Sequence, residues 1–129
     1  MSAPKALAFD AIALQVAAAL DEYEQDVGRM IAAWPELDRY RTVSEEVEKI
    51  RLFCAALPEA RVQWVELLIA HAELIHLLWR LQYANRPAAQ AEMARVRQHH
   101  ADCIVALRNR CLRTALRLQQ QRRRADPQA

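Results

Sequence analysis

One glycine, Gly28, stands in a chain of 129 residues, and that scarcity limits the folds open to it more than any other feature. Hairpins, bulges and tight loops use glycine to reach backbone conformations that other residues resist. A chain so poor in glycine has little means of turning strands back on one another. Its abundant alanine and leucine are strong helix formers. With 53 % hydrophobic and 26 % charged residues, it can bury a core and is not a disordered polymer. The expectation is an all-α fold. Its length suits one domain over residues 1–120, followed by a basic, disordered tail over 121–129.

Apolar spacing divides the chain into four helices. Phe9, Ile12, Val16, Leu20, Tyr23, Val27, Met30 and Trp34 recur every three or four residues, which is one stripe on a helix. That first helix runs from about Pro4 to Trp34 and stops before Pro35, because the residue preceding proline avoids the α region. Thr42 and Glu45 form a capping-box pattern, so a short second helix is expected over about Val43 to Leu57, with Val47, Ile50, Cys54 and Leu57 inward. Pro58 breaks the chain, and a third helix continues to about Ala84. Pro87 opens a fourth that reaches about Gln120. One short and three long helices joined by short connections predict an antiparallel, up-down-up-down four-helix bundle.

Helix three has a narrow polar stripe of Glu59, Glu66, Glu73 and Arg80, spaced by seven, with apolar residues almost everywhere else. Helix four has two apolar seams. Met93, Val96, His100, Cys103, Leu107, Cys111 and Leu118 form one; Ala94, Ala101, Val105, Leu112 and Leu116 form the other. Three neighbours in a small bundle cover one seam, and the surplus apolar surface marks an interface. A homodimer is therefore expected, joined through Leu74, Leu77, Leu78, Trp79, Val105, Leu112 and Leu116.

The net charge of +2 conceals a strong asymmetry. From Arg86 onward, ten arginines stand against Glu92, Asp102 and Asp126, a surplus of +7, which leaves −5 for the rest of the chain. Arg110, Arg113 and Arg117 form a stripe that could touch phosphates. Without interleaved aromatics or a helix-turn-helix, a solvated or internally paired face accounts for it better. The acids of helix one offer such internal partners. The bias towards arginine and alanine points to a GC-rich bacterial gene.

Chemistry-bearing patterns are sparse. Cys54, Cys103 and Cys111 are odd in number and lie in apolar stretches, which fits reduced core thiols of a cytoplasmic protein. His99, His100 and Cys103 have helical spacings that two metal ligands can share, and His71 and His76 of helix three could add others if helices three and four align. His100 lies in the middle of an apolar seam, where a neutral, hydrogen-bonded core histidine is the plainer reading. Glu73 and His76 make a Glu-x-x-His, but a di-iron bundle needs a second copy, and none exists. No histidine is followed by the lysine and glycine expected beside a phospho-accepting histidine. The two serines lie at the ragged start and in a capping region, and no glycine-rich loop cradles phosphate. No signal peptide or membrane span is expected, because acids and bases interrupt every long apolar run.

The function expected from these patterns is that of a non-enzymatic protein without cofactor. It acts as an adaptor, regulator or structural partner through protein contacts. Two alternatives remain: a nucleic-acid accessory protein, and a sensor holding a metal or ligand between helices three and four.

Overall fold

A computed structural model describes residues 3–82 and 87–125, with side chains from residue 9 onward in the first segment and from 88 in the second. The described residues form four α-helices and no strand. These are α1 (Ala3–Ala32), α2 (Leu37–Cys54), α3 (Arg61–Leu81) and α4 (Pro87–Ala125). A short 3-10 turn, Pro58–Ala60, breaks α2 from α3, as Pro58 predicts.

Ion pairs and hydrogen bonds give the relative direction of α1, α3 and α4. Asp10 meets Arg122, Asp21 meets Arg108, and Tyr23 meets His100, so contacts rise along α1 as they fall along α4. Glu59 meets Arg117 and Arg80 meets Glu92, the same reversed order between α3 and α4. These are the contacts of antiparallel neighbours. α1 packs on both α2 and α4, and α4 packs on both α1 and α3, whereas α2 and α3 scarcely touch.

Each helix turns its apolar stripe into one core. Val16, Leu20, Tyr23, Val27 and Met30 of α1 are buried, as are Ile50 and Cys54 of α2 and Leu57 just after it. Burying a large apolar side chain is worth about 1.5–3 kcal/mol. Ile104 and Leu107 complete the centre from α4. Phe9, at the open end of α1, remains largely exposed although it continues the same stripe.

Several boundaries differ from the sequence reading. Helix α2 begins at Leu37, not near Val43. The Thr42 hydroxyl donates to the Asp38 carbonyl at 3.0 Å, a bond back along an existing helix, so Thr42 is interior and caps nothing. Helix α4 does not end near Gln120. It continues to Ala125, and Arg122 forms a 2.7 Å ion pair with Asp10 that anchors its last turns to α1. The disordered tail expected from Gln121 is thus helical as far as 125, and 126–129 lie outside the described residues. The expected end of helix three near Ala84 also falls there.

The expected self-association surface is corrected in part. Leu74, Leu77 and Leu78 are buried inside a single copy of the chain. They face the core because α3 turns the face holding Leu67, Ala70 and Leu74 inward. The outward apolar residues of α3 are instead Val62, Val65, Leu68 and Ile69.

Candidate functional site

The bundle buries one polar cluster at its centre, built from three helices. The Tyr23 hydroxyl of α1 lies 2.7 Å from His71 Nδ1 of α3 and 2.7 Å from His100 Nε2 of α4. Tyr23 has no exposed surface and His100 is 4 % exposed. A phenol has one proton, so it donates to one histidine and accepts an N–H from the other. The two imidazoles therefore present unlike nitrogens to the hydroxyl: one bears its proton there and the other lacks it.

Burial sets the electrostatics. It holds both imidazoles neutral, lowering His71 to about 4 and His100 to about 4. His71, His99 and Arg97 add repulsion at His100. Burial raises the Tyr23 phenol above its ordinary range, and the nearby Glu46 carboxylate of α2 adds to the effect. All three groups are consequently neutral near pH 7. A neutral, satisfied network in a core fixes the mutual register of the helices that contribute to it.

An acid pair, Asp26 and Glu46, lies near this cluster. Burial pushes the Glu46 carboxyl up to about 8, helped by its hydrogen bond with Asp26 and by the charges of Asp26 and Glu22. The same hydrogen bond, with Arg29, holds Asp26 low.

The metal candidates do not converge. His99 Nε2 lies 3.7 Å from Cys103 Sγ on α4, a weak thiol contact and not a metal geometry. His100 turns to Tyr23, and His76 lies exposed on α3. Among the described residues, no group of three or more His, Cys, Asp or Glu side chains is placed to hold a metal ion. All three cysteines are unpaired and buried. Burial raises the thiols of Cys54 to about 12 and Cys111 to about 11, and also raises Cys103, where Glu66, Asp102 and Glu73 add to it.

One member of the arginine stripe, Arg117, is paired within the chain. Arg117 pairs with Glu59, which also accepts a 3.1 Å hydrogen bond from Thr114. Arg110 is half-buried, and its charge helps hold Glu59 low after the stronger effect of Arg117. Arg108 reaches Asp21 at 2.8 Å, and Arg122 reaches Asp10. Arg113 is exposed and forms no ion pair among the described residues. Of the nine described α4 arginines, three, Arg108, Arg117 and Arg122, pair with acids of the same chain.

Apolar surface is the feature left over. Val62 is 62 % exposed, Ile69 53 % and Leu116 56 %, and Val105, Leu112 and Trp79 are also well exposed. Trp79 differs from the rest, because its ring packs edge-on against Trp34 with centroids 4.6 Å apart. No described helix is long and apolar enough to cross a membrane, so these side chains are not part of a spanning segment.

Sequence reasoning recognised His100 as a core histidine and weighed His71 only as a possible metal ligand, but missed the Tyr23 hydroxyl that joins them. The signal was present. Tyr23 lies within the α1 stripe, and His71 follows Leu67 by one turn and precedes Leu74 by one. Polar groups that share core faces on different helices must find one another or remain unsatisfied. No protein-family model, curated protein or solved structure matches the chain.

Proposed function

We propose that this protein is a cytoplasmic, bacterial helical-bundle protein that catalyses no reaction and acts through protein–protein contacts, beginning with its own self-association. The observation that carries this reading is the apolar surface that remains after the core is complete. Leu74, Leu77 and Leu78 already fill the interior from α3, yet Val62, Val65, Leu68 and Ile69 of the same helix stay in water, with Leu112 and Leu116 on α4. Exposed apolar rows of that kind mark interfaces. Three buried, unpaired cysteines fit a reducing compartment, and the arginine and alanine bias fits a GC-rich genome. The nucleic-acid reading loses ground because Arg117, Arg108 and Arg122 are bound to acids of the same chain. Sedimentation equilibrium at tens of micromolar tests the proposal. A dimer or larger assembly is expected, and a clean monomer would overturn it.

A further inference from the structure

We infer that a second copy docks along the outward face of α3, side by side and parallel, with Arg61 of each copy beside Glu66 of the other. The inference rests on the self-association proposed above and specifies its surface and direction. Val62, Val65, Ile69 and Ala72 are spaced by three, four and three, and all four are exposed. That is the spacing of the two apolar positions of a heptad. Trp64, Leu67, Leu74 and Leu78 occupy the opposite side of the helix and are buried in the chain's own core. Helix α3 is therefore apolar on two opposite faces. A solvated helix needs one such face, and the second is left without a neighbour.

Charge selects the occupant and its direction. Arg61 immediately precedes the first apolar position, and Glu66 immediately follows the second. In a parallel helix pair, side chains at these two flanking positions meet across the interface when they are five residues apart, and opposite signs attract. Arg61 and Glu66 have that separation and opposite sign. Both are exposed, and neither forms an ion pair among the described residues. The two-fold axis of a dimer generates the contact twice. An antiparallel pair would instead bring the Glu66 and Glu73 edges of the two copies together. The next residue on that edge, Arg80, already pairs with Glu92 of its own chain and is not free to relieve the repulsion. The exposed row on α4 suits a second copy less well. Helical spacing sets Arg95, Asp102 and Arg113 along one edge of Val105, Leu112 and Leu116, a mixed row with no complementary pair five residues apart.

The test uses the full chain and four sets of variants, with helix content checked by circular dichroism. Val65→Glu with Ile69→Glu alters only exposed positions, so the bundle should fold while dimer association weakens by more than about a hundredfold. Arg61→Glu alone and Glu66→Arg alone should each weaken it by about tenfold, and the two together should restore it. Single cysteines introduced by V62C or by I69C should both give disulfide-linked dimers on mild oxidation, because each position faces itself only in a parallel pair. The wild type, with its thiols buried, should give none. Cross-linking by one of the two variants alone would mean antiparallel packing and would overturn the inference. So would a Val65→Glu/Ile69→Glu protein that stays dimeric while Leu112→Glu/Leu116→Glu dissociates, although self-association would then stand. A monomeric wild type would overturn both.

Discussion

Replacing Tyr23 with phenylalanine removes one oxygen atom and two hydrogen bonds. The ring stays, so packing against Leu20 and Val27 is little changed, and the loss falls on the histidines. His100 is 4 % exposed and cannot recruit bulk water once the hydroxyl is gone. An unsatisfied buried polar group costs about 1–3 kcal/mol. His71 is only half-buried and recovers part of its loss by hydration. The expected destabilisation is therefore about 2–4 kcal/mol, which corresponds to a fall of about 8–16 °C in melting temperature for a domain of this size. Urea denaturation followed by circular dichroism at pH 7 measures it. His100→Leu provides the control. It should cost much less in the Tyr23→Phe background than in the wild type, because its partner is already gone. A Tyr23→Phe protein within about 0.5 kcal/mol of wild type would refute the network as a stabilising element, and additive single effects would refute the pairing.

Five further outcomes are expected. His71 and His100, held near 4 against an ordinary 6.5, bind fewer protons folded than unfolded, so stability should fall as pH drops from 6.5 towards 4, by up to about 3 kcal/mol for each. Glu46, held near 8 against an ordinary 4.5, acts in the opposite sense, so stability should also fall as pH rises towards 8, and Glu46→Gln should remove that alkaline decline in urea titrations. Arg122→Ala should cost about 1–3 kcal/mol, because it strands the Asp10 carboxylate, which is only 4 % exposed; an unchanged melting temperature would show that α4 is not anchored there. A β-carbon at Gly28 meets nothing within 4 Å, so Gly28→Ala should stabilise α1 by about 0.5–1 kcal/mol, and a destabilised variant would contradict the geometry. Native-state thiol labelling should be slow at all three cysteines, with Cys54 and Cys111 slowest, since burial keeps them protonated; rapid reaction at either would contradict their placement.

The residues that the sequence misplaced share a physical cause. Apolar spacing reports how a helix is striped but not which stripe meets a neighbour, so Leu74, Leu77 and Leu78 read as surplus while Val62, Val65 and Ile69 drew no notice. Thr42 and Glu45 have the spacing of a cap, and that spacing also occurs inside a helix, where Thr42 bonds back to Asp38. Arg122 lies in a run of three arginines that reads as a frayed end. Only the position of Asp10, more than a hundred residues earlier, makes it an anchor.

Local physics determined the rest. One glycine, the prolines at 35, 58 and 87, and three-four apolar spacing settle an all-helical chain with its breaks where prolines forbid continuation. Those are nearest-neighbour effects, and a sequence records them directly. Tertiary structure decided what depends on residues far apart meeting in space: the Tyr23 hydroxyl shared by His71 and His100, the Asp26 and Glu22 charges that help raise Glu46, and the pairing of α4 arginines with acids of α1 and of the turn before α3. It also decided which apolar face of α3 remains in water, because a helix with two such faces can bury either one, and packing against α4 selects between them.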